Sequence, residues 1–336
     1  MIIVIRKDAT DKQIEHVKKF AADKGFKVHE SRGEEVTILG LIGDERKLDK
    51  QQIEALPGVD KVMRVLKPYR LASREFRKED TIIDINGVKI GGKEVFVIAG
   101  PCSVESEKQI ITIANSVKKC GAKMLRGGAF KPRSSPYSFQ GLGEEGLRML
   151  AKARKLTGLP IVTEVLDVNE VEIVAKYADI LQIGTRNMQN YRLLKAIGKT
   201  KKPVLLKRGF SATLEEFLMS AEYIMAEGNH NVILCERGIR TFNTYTRNTL
   251  DLAIVPVLKK LTHLPVVVDP SHGTGKHELV EPMSYAGITA GADGLIIECH
   301  TEPENSVSDA DQTINPETLS RIIKGVRKVA AAIGRR

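Results

Sequence analysis

The chain has 336 residues, 42% hydrophobic and 28% charged, which suits a globular protein with one large core and a smaller second one and excludes a disordered chain. No apolar run approaches the roughly 20 residues of a membrane span, and the start, Met-Ile-Ile-Val-Ile-Arg, lacks the layout of a signal peptide, so a cytoplasmic protein without a membrane partner is expected. The formal charge of +10 raises nucleic acid as a partner, but Lys/Arg and Asp/Glu are interspersed and no zinc-finger or basic-helix motif occurs, so none is expected.

Residues 2–5 read as a strand, and 10–24 as a helix with Ile14, Val17, Phe20 and Ala21 on one face and Gly25 as its stop. Two β-like runs follow, 26–29 and 35–42, separated by Ser31-Arg32-Gly33. A helix over 45–56 ends at Pro57-Gly58, and 62–66 closes the set. The order βαββαβ predicts a ferredoxin-like domain over 1–66. Residues 67–80, rich in charge and containing Pro68, are expected to form a linker, with Leu71 and Phe76 as anchors.

The stretch 81–336 alternates strand and helix. It opens with a hairpin, 81–85 and 88–90, around Asn86-Gly87. Eight strand-like runs follow, at 95–99, 123–125, 161–164, 180–183, 204–207, 232–235, 266–269 and 294–298, with helices such as 107–119, 144–157 and 214–226 between them. Eight parallel strands with eight crossovers predict an α/β fold, a (β/α)8 TIM barrel. A doubly wound open sheet is the alternative, but its G-x-G-x-x-G fingerprint is absent.

In such a barrel chemistry gathers where strands end. Nearly every predicted strand is followed at once by a polar, ionisable or glycine residue, which points to an enzyme. The loop 125–141 carries Arg126, Lys131 and Arg133 among glycines, prolines and serines, a composition that suits phosphate or carboxylate oxygens. Arg186, Lys207, Arg208 and Arg237 extend this cationic group. Cys102, His272, Glu298 and Asp309 form a second group of mixed soft and hard donors, suited to a divalent metal such as Mn, Fe, Co or Zn. Because these four are scattered along the chain, their spacing alone leaves open an ordinary loop histidine at position 272. Cys120 and Cys235 read as buried apolar thiols, and no C-x-x-C spacing or disulfide framework is present.

Ala99-Gly100-Pro101-Cys102-Ser103, Lys131-Pro132-Arg133-Ser134-Ser135, Gln182-Ile183-Gly184-Thr185-Arg186-Asn187, Leu206-Lys207-Arg208-Gly209 and Asp269-Pro270-Ser271-His272 together resemble the 3-deoxy-D-arabino-heptulosonate 7-phosphate synthases. The likeness is to the short-chain class, and it covers essentially the whole chain, including the N-terminal ferredoxin-like domain of some members. The resemblance implies an aldol-like condensation of phosphoenolpyruvate with erythrose 4-phosphate, the first step of the shikimate pathway. It implies metal ligands at Cys102, His272, Glu298 and Asp309, with the metal acting as a Lewis acid on the aldehyde oxygen. Phosphoenolpyruvate is expected at Arg126, Lys131, Arg186, Lys207 and Arg237, and the aldose phosphate at Arg133 and Ser134. Lys131 or Glu164 is expected to manage protons where water traps C2.

The related 3-deoxy-D-manno-octulosonate 8-phosphate synthases, which take arabinose 5-phosphate, typically carry Lys-Ala-Asn-Arg-Ser where this chain has Lys131-Pro132-Arg133-Ser134. One proline in place of two residues shortens and stiffens the loop, which favours the four-carbon acceptor. For residues 1–66 the resemblance implies an aromatic amino acid effector, tyrosine or phenylalanine. The polar segment His29-Glu30-Ser31-Arg32-Gly33 offers donors and acceptors, with His29 and Ser31 as the expected contacts. The other reading is an assembly module. A homo-oligomer, a tetramer, is expected from the resemblance.

Overall fold

The computed structural model describes every residue except 34–35, 45–47, 64–67 and 134. The chain divides into two compact units, Met1–Arg70 and Leu71–Arg336.

The first unit runs β1 (Ile2–Ile5), α1 (Asp11–Asp23), β2 (Lys27–Arg32), β3 (Thr37–Ile42), α2 (Lys50–Glu54) and β4 (Val59–Met63). Its antiparallel sheet has the order β2-β3-β1-β4, the arrangement of a ferredoxin-like fold. Thr10 and Gln13 form a capping box that starts α1, and Ile14, Val17 and Ala21 on its inner face meet Ile3, Ile5, Leu39 and Val62 of the sheet. One expectation changes here. The segment from His29 to Arg32 is not a loop: β2 runs on to Arg32, with His29 opposite Gly40 and Ser31 opposite Ile38. Cross-strand pairing along β3 overrides the turn propensity of Ser-Arg-Gly. The expected starts of β3 and of the second helix, at Glu35 and 45–47, and the expected strand end at 65–66 lie outside the described residues.

In the second unit the hairpin β5 (Ile83–Ile85) and β6 (Val88–Ile90) turns at Asn86 and Gly87, both with positive φ. The strands and helices that follow are β7 (Phe96–Gly100), α3 (Glu107–Cys120), β8 (Met124–Arg126), α4 (Glu144–Thr157), β9 (Ile161–Glu164), α5 (Val171–Tyr177), β10 (Ile180–Ile183), α6 (Tyr191–Lys199) and β11 (Val204–Lys207). They continue as α7 (Leu214–Ala226), β12 (Val232–Glu236), α8 (Ile254–Leu261), β13 (Val266–Val268), α9 (Pro270–Thr274), α10 (His277–Thr289), β14 (Gly294–Glu298) and α11 (Pro316–Ala332). Strands β7 to β14 close into a parallel barrel, the TIM-barrel architecture.

Side-chain period explains where the site sits. Ile98, Met124, Val162, Ile180, Leu205, Ile233, Val267 and Ile296, one from each barrel strand, belong to a single buried cluster, which only the barrel interior allows. Ile83, Ile85 and Ile90 of the hairpin join that cluster and plug the barrel's lower end. Two residues further along each chain stand Gly100, Arg126, Glu164, Gln182, Lys207, Cys235, Asp269 and Glu298. Because alternate residues share a face, the next interior layer is polar.

The stretch expected as a linker differs from Leu71 onward. The Leu71 and Ala72 amides donate to the Glu222 carboxylate at 2.9 Å, Ser73 pairs with Thr262, and Arg74 donates to the Lys259 carbonyl. Arg74 is thereby fastened to α8 of the barrel. Among the described residues no helix is long and apolar enough to cross a membrane.

Candidate active site

A cavity of about 320 Å³ opens over the polar interior layer of the barrel. Seven cations line it, Arg126, Lys131, Arg133, Arg186, Lys207, Arg237 and Arg247, against two carboxylates, Glu164 and Asp309. That imbalance suits small anions carrying more than one negative charge.

Beneath the cavity the Cys102 sulfur and the carboxylates of Glu298 and Asp309 have donor atoms within 4.8 Å of one another. The Cys102 Sγ donates to Asp309 Oδ2 at 3.0 Å, and Lys131 Nζ lies 2.9 Å from Sγ and 3.0 Å from the Cys102 carbonyl. His272 stands beside this group, its Nε2 3.3 Å from Glu298 Oε1. Asp-Pro-Ser-His is a helix start: Asp269 caps α9 by accepting the His272 amide at 2.9 Å, and Pro270 fills the first helical position. The cap folds the imidazole back on its own capping residue, where Nδ1 donates to Asp269 Oδ2 at 2.7 Å. That bond places the proton on Nδ1 and leaves the Nε2 lone pair facing Glu298.

The electrostatics agree with this arrangement. Burial pushes Asp269 upward, but His272 and Lys207 outweigh it and hold the carboxyl well below its ordinary range. Burial also lowers His272, against the pull of Asp269 and Glu298. Burial and then the Glu298 charge raise the Cys102 thiol to about 12. Glu298 and Asp309 both fall below the usual carboxylate range, because neighbouring His272 and the cations outweigh the burial that would raise them. A sulfur, an imidazole with Nε2 turned toward Glu298 and two carboxylates fit a borderline divalent ion.

Arg126 donates to Glu298 Oε1 at 2.8 Å and to the Cys102 carbonyl at 3.2 Å, and Lys207 pairs with Asp269 Oδ2 at 2.6 Å. Arg237 reaches the His272 carbonyl at 3.4 Å. The Nε atoms of Arg126 and Arg237 are buried with no partner among the described residues. A buried donor left unpaired costs about 1–3 kcal/mol, so both guanidinium groups keep unused donor capacity. The guanidinium groups of Arg186, Arg237 and Arg240 lie 5.6, 5.0 and 4.4 Å from the centre of the Phe210 ring, which gathers like charges about one aromatic side chain.

Glu164 accepts from Gln182 Nε2 at 3.2 Å. Gly184 makes room for it, since a Cβ there would stand 1.9 Å from Glu164 Oε1. Arg133 is half-buried, with Nε donating to the Phe139 carbonyl at 3.0 Å. Ser134 lies outside the described residues.

Most residues named from the sequence thus converge, but Arg208 does not. It follows inward-facing Lys207 and therefore points away from the cavity, where it pairs with Glu236 at 3.0 Å and Asp251 at 2.9 Å. Gln182, Asp269, Arg247 and Gln312 belong to the site and were missed. The two-residue step beyond each apolar strand position signals Gln182 and Asp269; nothing local signals Arg247 or Gln312. His29 and Ser31 belong to the other unit, exposed on one face of β2.

Residues 78–333 match the DAHP synthetase I family and residues 1–67 the DAHP synthase ferredoxin-like domain. A phospho-2-dehydro-3-deoxyheptonate aldolase of Thermotoga maritima is 51% identical over 334 residues, covering 99% of each chain. Its crystal structure superposes with a TM-score of 0.97 at 50% identity, covering all of this chain and 98% of that one. A 2-dehydro-3-deoxyphosphooctonate aldolase of Geobacter sp. is 30% identical over 273 residues, 75% of this chain and 98% of its own.

Proposed function

The chain belongs to the DAHP synthase family, and on that premise we propose how its own residues carry out the condensation of phosphoenolpyruvate with erythrose 4-phosphate, the first step of the shikimate pathway. The observation that carries the reading is the cation-lined cavity standing directly over a thiol, imidazole and carboxylate cluster. Phosphoenolpyruvate, with a phosphate and a carboxylate, takes the inner cations Arg126, Lys131, Arg186, Lys207 and Arg237. Arg133, with Ser134, takes the phosphate of the aldose. These charges are tied to partners before substrate arrives, so binding needs little reorganisation.

Cys102, His272, Glu298 and Asp309 hold the divalent ion, which when bound supplies Lewis acidity toward the aldehyde oxygen. The remaining work falls to the chain. C3 of phosphoenolpyruvate forms the new bond to the aldehyde carbon, and Lys131 donates a proton to the oxygen that becomes a hydroxyl. Water adds at C2, and Glu164, steadied by Gln182, accepts its proton. The resulting hemiketal phosphate breaks its C–O bond and releases inorganic phosphate.

Two observations favour the four-carbon acceptor: the single Pro132 in the loop, and 51% identity to a heptonate aldolase against 30% to an octonate aldolase. Turnover of erythrose 4-phosphate well above arabinose 5-phosphate is expected, and the reverse preference overturns the assignment. Treatment with EDTA is expected to abolish turnover and a divalent ion to restore it. For the first unit we propose feedback inhibition by tyrosine or phenylalanine through His29 and Ser31. Support comes from the open face of the sheet, which sets these polar groups among Ile38, Ile42 and Met63. Full-length enzyme that ignores both amino acids ends that idea. A tetramer in the cytoplasm completes the proposal; the four free thiols suit a reducing compartment, and light scattering checks the assembly.

A further inference from the structure

We propose that Arg247 and Gln312 act as one positioning unit that holds the carboxylates of Glu298 and Asp309 in register for a divalent cation, an inference that rests on the metal reading above. Gln312 is buried, and its amide spends both ends: Nε2 donates to Glu298 Oε2 and Oε1 accepts from Arg247 Nη1 at 2.9 Å. The same Nη1 donates to Asp309 Oδ1 at 3.1 Å. One chain of hydrogen bonds therefore runs Glu298, Gln312, Arg247, Asp309. A glutamate at 312 would face Glu298 with like charge, and an asparagine is a methylene short.

Arg247 is itself seated. Its amide donates to the Thr274 carbonyl at 2.8 Å, and its stem lies in the notch left by Gly275, where a Cβ would come within 2.4 Å of the Arg247 Cβ. Gly275 ends α9, the helix that carries His272, so the position of Arg247 follows that of the imidazole. At the other end Asp309 has φ 56, left-handed backbone that disfavours a residue with a side chain. Such a conformation persists where surroundings over-determine it. Here Arg247 holds one carboxylate oxygen, Cys102 the other, and Thr313 Oγ1 donates to the Asp309 carbonyl at 2.8 Å.

Arg247 could influence a cation in two ways of opposite sign. As a nearby positive charge it repels the ion; as a brace it fixes two ligands. Gln312, being neutral, acts only as a brace. Affinity for the ion alone therefore separates the two. Groups that orient metal-bound carboxylates typically matter about 10–100-fold.

The test titrates the full chain, without substrate, with Co(II), following the thiolate-to-cobalt charge-transfer band and measuring affinity by chelator competition. Gln312→Met is expected to weaken binding about 10–100-fold, and Arg247→Lys by a comparable factor although it keeps the charge. The double variant is expected to be little weaker than the worse single one, as for two members of one unit. Arg247 has 38% side-chain exposure, so Arg247→Lys leaves a folded protein even where Gln312→Met does not. Affinities of both single variants within twofold of wild type, or tighter binding by Arg247→Met, overturn the brace. Wild-type protein that binds no Co(II) overturns the metal reading as well.

Discussion

The strand ends of the barrel bury Arg126, Lys207 and Glu298 almost completely, whereas β2 of the first unit leaves His29 and Ser31 in solvent. In the barrel several charges partner one another: Arg126 with Glu298, Lys207 with Asp269, Asp269 with His272. On the ferredoxin-like sheet the ion pairs, such as Arg32 with Asp11, are exposed, and such pairs contribute little to stability. A buried network has its charges set in advance, and removing one member strands another. An exposed strand face leaves its polar groups to a ligand and asks nothing of the fold.

The sharpest way to break this contrast is Cys102→Ala. It is expected to lose all metal-dependent turnover while far-UV circular dichroism stays that of the wild type; retained turnover contradicts the ligand assignment. Arg126→Met comes next, because it leaves Oε1 of the buried Glu298 carboxylate without its guanidinium donor. A loss of about 2–5 kcal/mol in phosphoenolpyruvate binding is expected, read as a rise of about 30-fold or more in KM. A change below threefold would sever Arg126 from the substrate.

A smaller effect compares stability with pH. His263 is buried in the barrel wall, Nε2 donating to the Leu71 carbonyl at 2.7 Å and Nδ1 accepting from Thr81 Oγ1 at 2.6 Å. Burial lowers its pKa below the usual 6.5, with nearby Arg77 and Arg74 adding to the effect against the Leu71 bond. The unfolded chain therefore takes up the proton first. Its stabilisation is fully present above about pH 6.5 and is lost as pH falls through the lowered folded value. His263→Gln is expected to reduce the fall in melting temperature between pH 7 and pH 5 seen by calorimetry; an unchanged fall removes His263 as a cause.

The smallest effect on the fold belongs to β2. His29→Ala and Ser31→Ala are expected to move the melting midpoint by no more than about 1–2 °C. Both are expected to blunt inhibition by tyrosine or phenylalanine in a steady-state assay. Large destabilisation would place the two residues in the framework of the unit instead.

Local pattern was enough for the architecture. Apolar runs with period 2, amphipathic helices and turn residues such as Asn86-Gly87 declare the ferredoxin-like order and the eight barrel strands, because both periods are properties of short segments. The polar residues closing those runs, Arg126, Glu164, Lys207 and Glu298, were legible for the same reason, and so were Cys102 and His272 within their motifs. What the sequence could not decide is which atom meets which. Cys102 and Asp309 are 207 positions apart, and only barrel closure brings the thiol to 3.0 Å from the carboxylate. Arg208 looks equal to Lys207 along the chain, yet one step on a strand turns it out of the cavity. Ser31 and Arg32 read as a separating turn until pairing with β3 made them strand. Gln312 and Arg247 carry no local signature, since their value lies wholly in partners that the fold supplies. Periodicity is set between near neighbours in sequence; contact is set by tertiary closure, and the site is made of contacts.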